Sequence, residues 1–193
     1  MNILGVILLC SLIFGLSTIS IIFEKIDSVI ILTKQQQLQL QRWLKPLSKI
    51  NFELLFRATR DGERADDFIR MCNGKSPTLT IIKTTEGIIF GGYTEVKWER
   101  TYTDEFRYDP NAFIFSFYNN MKISPNNPNE AVKMGFNDGP KFGAGCDIYI
   151  PDKCITGRTG YTHTITYTTK TNYEINGGNC KFQVEDYEVF LIN

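Results

Sequence analysis

The chain is poor in the side chains that build reactive centres. It has one histidine, His163, in 193 residues, so the imidazole-rich ligand sets of catalytic metal sites cannot be assembled and a nucleophile has one imidazole base to choose from. That histidine lies in Thr162-His163-Thr164-Ile165-Thr166, a polar strand pattern, and reads as a surface or edge residue. Five cysteines, Cys10, Cys72, Cys146, Cys154 and Cys180, never fall in C-x-x-C spacing, which excludes the usual opening of a zinc site or redox dithiol. Charge of one sign is missing too. Lys+Arg and Asp+Glu are 21 each, so no field gathers phosphates or an acidic membrane surface, and nucleic acid is not an expected partner. No metal and no cofactor is expected.

Residues 1–23 lack any charge. As a helix they would measure roughly 34 Å, enough to span a bilayer. Lys25, Lys34 and Arg42 follow the run and no basic residue precedes it, which favours a membrane anchor with the following domain in the cytosol. No asparagine lies in an Asn-x-Ser/Thr acceptor, in keeping with that side of the membrane. Two alternatives stand beside the anchor: a secretory signal peptide with small residues around Gly15 and Ser17, and a start codon placed too far upstream. Behind this segment, 42% hydrophobic and 22% charged residues suit one domain with a substantial core, over residues 27–193.

The densest pattern is residues 54–93. Thr33 and Gln36 ahead of it fit a capping box, opening a helix to about Leu44 that Pro46 stops, with Leu40, Trp43, Leu44 and Leu47 as its apolar stripe. Phe52, Leu54, Phe56 and Ala58 alternate with Glu53, Leu55 and Arg57 as a strand with one buried face. Asp61 reads as the N-cap of a second helix through Met71, with Ala65, Phe68 and Cys72 inward and Asn73-Gly74 as its end. Residues 78–84 and 88–93, joined at Glu86-Gly87, read as a hairpin. Gly91-Gly92 in its return strand implies a bulge or the close approach of a backbone or ring.

Phe113, Phe115 and Phe117 alternate on a further strand. Residues 133–136 and 147–150 read as short strands on either side of Asn137-Asp138-Gly139-Pro140 and Phe142-Gly143-Ala144-Gly145, the glycines explained by a tight turn packed by Phe142. Residues 154–171, rich in threonine, read as edge strands or a long excursion. At the end Phe182 and Val184 share one parity and Tyr187, Val189 and Leu191 the other, which predicts a bulge near Glu185-Asp186. Short strands and no βαβ rhythm indicate a mainly β (α+β) fold of packed antiparallel sheets.

Candidate chemistry is thin. Asp66-Asp67 and Glu185-Asp186-Glu188 are the acidic groups on offer for acid–base work; Asp186 and Glu188 share a strand face, and the default reading is solvated acids. The run 142–150, FGAGCDIYI, lacks the third glycine of a dinucleotide fingerprint and the ending of a P-loop. Cys72 points inward, where thiols are inert.

Arg60-Asp61-Gly62 with Phe68 and Cys72, Pro77 to Ile82 as P-T-L-T-I-I, Phe90-Gly91-Gly92-Tyr93, Phe142-Gly143-Ala144-Gly145-x-Asp147, and Val184-Glu185-x-x-Glu188-Val189-Phe190 occur in an order and spacing that resemble the TLDc domain of the oxidation resistance proteins. The resemblance covers roughly residues 27–193 and implies a two-sheet antiparallel β-sandwich flanked by two helices, here preceded by the apolar N-terminal helix. It also implies protection against oxidative damage and, in several members, binding to the proton pump V-ATPase. Thr59 stands where the family usually has serine, and the apolar segment is outside its pattern. No catalytic residue carries over. Arg60, Asp61, Gly62, Phe68, Gly91, Gly92, Phe142, Gly143, Gly145, Asp147, Glu185 and Glu188 are expected to determine the fold. The function expected is therefore a membrane-tethered, non-enzymatic interaction domain. Its rivals are a small enzyme acting on oxidised molecules through an acidic or cysteine site, and a secreted binding sandwich.

Overall fold

The computed structural model describes residues 26–31, 33–44, 50–171 and 173–193. The apolar segment 1–23, Pro46 and Leu47 lie outside the described residues, and the anchor, signal-peptide and helix-stop readings lie outside them too. Among the described residues, no helix is long and apolar enough to cross a membrane.

In chain order the elements are α1 (Lys34–Leu44), β1 (Phe52–Arg57), a single turn α2 (Ala58–Asp61), α3 (Ala65–Cys72), β2 (Thr78–Thr84), β3 (Ile89–Thr94), β4 (Glu105–Arg107), β5 (Phe113–Ser116), β6 (Met121–Ile123), β7 (Val132–Met134), β8 (Asp138–Phe142), β9 (Ile148–Pro151), β10 (Gly160–Tyr161), β11 (Lys181–Phe182) and β12 (Val184–Ile192). Two six-stranded sheets result, ordered β1-β12-β2-β3-β5-β6 and β11-β10-β9-β8-β7-β4. Their strand pairs are antiparallel. The expected sandwich is the fold observed.

Between the sheets lies a core that includes Phe56, Phe68, Trp98, Phe142, Ile148 and Tyr187. Edge-to-face rings run through it from the first sheet by way of α3 to the second: Phe56 on Phe68 at 6.1 Å, Phe68 on Trp98 at 5.4 Å, Trp98 on Phe142 at 5.9 Å. This geometry suits ring quadrupoles, and the one polar atom of the indole is satisfied, since Trp98 Nε1 donates to Thr78 Oγ1 at 2.8 Å. A second apolar cluster covers the outer face of the first sheet. There Ile26, Ile30 and Ile31 of the leading strap and Leu40 of α1 pack on Leu79, Ile81, Tyr93, Phe113, Phe115 and Phe190. Trp43 of α1 lies 5.5 Å from both Phe115 and Phe117. The first sheet is thus buried on both faces, which is why β2 reads as a nearly unbroken apolar and threonine run.

Several local readings hold. Thr33 and Gln36 cap α1 reciprocally, with Gln36 N donating to Thr33 Oγ1 and Thr33 N to Gln36 Oε1, each at 3.1 Å. β12 shifts register between Val184 and Asp186 where the parity slip demanded it. Gly91 and Gly92 stand in unbroken register, so the glycine pair marks close approach, not a bulge. A Cβ on Gly92 would sit 2.6 Å from the Phe142 ring, and one on Gly91 2.0 Å from the Thr80 carbonyl oxygen.

Four readings are corrected. Asp61 is no N-cap for α3: it closes α2, its carboxylate accepting from Arg57 N at 2.9 Å, while Asp152 accepts from Ala65 N at the start of α3. β1 does not bury one alternating face, because a register shift between Leu54 and Phe56 turns Leu55 and Phe56 into the inter-sheet core and leaves Phe52 and Leu54 on the outer cluster. The stretch Asp138-Gly139-Pro140, read as lying between strands, is itself part of a strand, β8. The tight turn after β8 is filled by Asp147, whose carboxylate occupies the place of a Cβ on Gly143, at φ +75°; Phe142 packs instead toward Gly92 and Trp98.

Candidate functional site

The residues singled out from the sequence fall into two groups on opposite sheets. At the end of β1, Arg60 pairs with Asp61 at 2.8 Å, and the hydrogen bond from Arg60 holds the Asp61 carboxyl below the usual aspartate value. Gly62, at φ +117°, leaves room for the Asp67 carboxylate, and Phe68 enters the core. On β12, Asp186 and Glu188 are buried, 6% and 0% exposed, which overturns the reading of solvated acids. Asp186 accepts from Thr59 N at 3.1 Å and Thr59 Oγ1 at 2.7 Å. Glu188 accepts from Arg57 Nε at 2.8 Å and Val29 N at 3.0 Å, and from the Ser28 hydroxyl. Glu185 alone remains outside, paired with Lys83 at 2.7 Å. Asp186 and Glu188 tie α2 and the strap to the sheet.

On the second sheet Asp147 is fully buried. Its Oδ1 accepts from Ile165 N at 2.8 Å and Tyr167 N at 2.7 Å, so it organises the threonine-rich excursion, with Thr162, Thr164 and Thr166 buried along it. Burial pushes the carboxyl upward against the amides that favour its charged form. Gly145 faces the His163 carbonyl and Ile165, leaving no space for a side chain. Burial also raises the thiols: Cys72 rises well above its usual value and Cys154 is pushed up to about 12, so neither supplies a thiolate at neutral pH. Among the described residues no group of three or more His, Cys, Asp or Glu is placed to hold a metal ion.

The arrangement that can do something lies where no motif pointed. Register places one side chain from each strand of the second sheet in a row across its outer face: Lys181 opposite Tyr161, Tyr161 opposite Tyr149, Tyr149 opposite Lys141, then Lys133 opposite Phe106. Val132 and Phe142 pair inward, which puts Lys133 and Lys141 outward. Tyr149 and Tyr161 stack at 6.2 Å with 18° between planes. Lysines lie over the rings, Lys181 over Tyr161 at 5.8 Å and Lys133 over Phe106 at 5.4 Å. In the middle Lys141 is 4% exposed, bound to Asp138 at 2.6 Å and Asp104 at 3.1 Å. Burial opposes its charge, but hydrogen bonds and attraction from Asp138 and Asp104 win and hold its pKa above the usual lysine value. The hydrogen bond from Lys133 keeps Asp104 below its own. Tyr149 donates to Asp138 at 2.7 Å. Gly135 makes room for this cluster, since a Cβ there would come within 2.8 Å of Lys141 Nζ.

Phe106 (42%), Tyr161 (39%) and Phe136 (43%) remain exposed, and Tyr102, stacked on Phe136 at 6.0 Å, is 93% exposed. The first sheet buries its outer aromatics under a strap and helix; the second offers its own to solvent, locked in place by a neutralised ion cluster. Chemically such a surface can bind and orient.

The family model described as TLDc domain matches residues 25–193. A stretch of 72 residues, 37% of the chain, is 31% identical to "MTOR-associated protein MEAK7" of Danio rerio and equally to that of Gallus gallus. That stretch makes up 16% and 15% of those longer proteins.

Proposed function

This chain belongs to the TLDc domain family, and from that premise we propose that it acts by holding a partner protein on the open face of its second sheet and performs no turnover. The observation that carries the reading is the row Lys181, Tyr161, Tyr149, Lys141, Lys133 and Phe106, rigid, aromatic and partly exposed on a sheet whose counterpart is covered. Aromatic side chains such as Phe106 and Tyr161 are among those that dominate protein interfaces, and here lysines lying over the rings help to fix them. The raised thiols and the structural use of Asp186 and Glu188 speak against the oxidised-molecule enzyme.

The partner we propose is the proton pump V-ATPase, in keeping with the resemblance, with protection against oxidative damage as the outcome in the cell. The name of the two relatives makes an mTOR-containing assembly the second partner to look for. We place the domain in the cytosol, held at a membrane by residues 1–23. Full-length chain used to capture proteins from cell extract should recover pump subunits. The double substitution Phe106→Ala with Tyr161→Ala should abolish that recovery without changing the unfolding midpoint. Recovery of mTOR in place of pump subunits would move the assignment to the second partner; capture indifferent to the double substitution would exclude this face. Mature chain beginning at Met1 in the membrane fraction supports the tether, and a start near Ser17 in the medium excludes it.

A further inference from the structure

We propose that residues 26–31 and α1 form a releasable cover over the outer face of the first sheet, and that phosphorylation of Ser28 releases it. One hydrogen-bond cluster holds the cover at its leading end. Glu188, fully buried on β12, accepts from Ser28 Oγ at 2.5 Å, Val29 N at 3.0 Å and Arg57 Nε at 2.8 Å. Ser28 Oγ accepts in turn from Ile30 N at 3.1 Å and Ile31 N at 2.8 Å. The Ser28 hydroxyl therefore links two strap amides to the buried carboxylate, beside the direct bond from Val29 N. Two further polar contacts reach the cover, Arg57 Nη2 donating to the Asp27 carbonyl at 3.1 Å and Lys122 Nζ to the Trp43 carbonyl at 2.6 Å, and apolar packing through Ile26, Ile30, Ile31 and Leu40 supplies the rest.

The cluster is asymmetric in a way that suits release. When the strap leaves, Arg57 stays on Glu188, so no buried charge is stranded. When a phosphate sits on Ser28, the strap cannot stay: the dianion meets Glu188 in a desolvated site, and the guanidinium of Arg57 is already shared with Glu188 and with Asp27, whose Oδ1 is 4.0 Å away. Arg60 also lies within electrostatic reach of Asp27 and Glu188, but its guanidinium is engaged with Asp61 at 2.8 Å. Residues 26–31 form neither helix nor strand, and Val29 is 49% exposed, so a modifying enzyme need not unwind an element to take the segment. The step is ordinary phosphoryl transfer by a nucleoside-triphosphate-dependent protein kinase. Ser28 Oγ bonds to the γ-phosphorus, the bond to the departing nucleoside diphosphate breaks, and the hydroxyl proton passes to the kinase's base.

Release leaves the two outer faces of the sandwich under separate control, since the aromatic row of the second sheet takes no part in the cluster. Hydrogen exchange on the full-length chain, made with phosphoserine genetically encoded at position 28, tests the proposal. Exchange across 26–31 and 34–44 should quicken by about tenfold or more while β2 amides keep their protection. Adding Glu188→Gln to the phosphorylated chain should restore protection, because the repelling charge is gone. Unchanged or slower exchange in 26–31 would overturn the proposal, since the phosphate would then be accommodated by Arg57. Opening of 26–31 with α1 still protected, or opening of β2 in step, would equally overturn it.

Discussion

At the scale of single residues, the informative positions are those where one atom more would not fit. Gly92 lies under the Phe142 ring at the centre of the sandwich, with the ring 2.6 Å from where a Cβ would stand. Both sheets contribute to that contact, so neither side can yield without moving a strand. Gly92→Ala is expected to cost about 1 to 3 kcal/mol by overpacking, read as a lower urea midpoint at unchanged m-value. Phe142→Leu in the same chain should recover part of the loss, because the two changes share one space. If Gly92→Ala proves neutral, the inter-sheet distance is not set by this contact. Asp147 illustrates the other kind of constraint. Its carboxyl group fills the space beside Gly143 and satisfies two amides of the loop 18 and 20 residues on, so an ionisable side chain acts as structural filler.

At the scale of elements, α1 is the instructive case. Its sequence, KQQQLQLQRWL, has a narrow apolar stripe, and a helix of 11 residues is marginal by itself. It persists because its cap is complete and because Leu40 and Trp43 reach the outer apolar face of β2, β3, β5 and β12. Thr33→Ala removes the hydroxyl that accepts from Gln36 N and should destabilise the helix by about 0.5 to 2 kcal/mol. The loss belongs to the cover and not to the sandwich. Exchange should therefore quicken over 34–44 with global unfolding little changed, and an equal fall in global stability would show that α1 is part of the cooperative core.

For the whole molecule, the balance of shifted charges predicts the response to acid. Asp61 and Asp104 have folded pKa values below their ordinary 3.8. The stability they contribute is complete above that value and is lost as pH falls through their folded ones. Asp147 is raised: the folded state binds its proton first, so lowering the pH relieves a burial cost and opposes the acid loss. Lys141, raised above 10.5, contributes stability that disappears only above that pH. Urea midpoints should be level between about pH 5 and 8 and decline below about 4. Asp147→Asn should make the acid decline steeper, because the opposing group no longer titrates. A shallower decline in that variant would mean that its carboxyl is not the buried, raised one. Asp104 is largely exposed, so added salt should weaken its part of the effect.

Local order was legible because it rests on neighbours in the chain. The cap at Thr33 and Gln36, the hairpin around Glu86-Gly87, the parity slip at Glu185-Asp186 and the demand of Gly91-Gly92 for close approach all come from short-range spacing and the room a side chain needs. With the motif order they were enough for a two-sheet antiparallel sandwich. What residues far apart do to one another was not legible. Nothing in the spacing of Lys133, Lys141, Tyr149, Tyr161 and Lys181 shows that they stand in one row, because the row exists only once the registers of β7 to β11 are set by core packing on the opposite face. Asp186 and Glu188 read as solvated because carboxylates usually are; Thr59, Ser28 and Arg57, 127 to 160 residues away in the chain, turn them inward. Spacing within the chain determines which elements form, whereas the desolvation and pairing of charges depend on which elements meet, and that is decided only when the sheets close on their shared core.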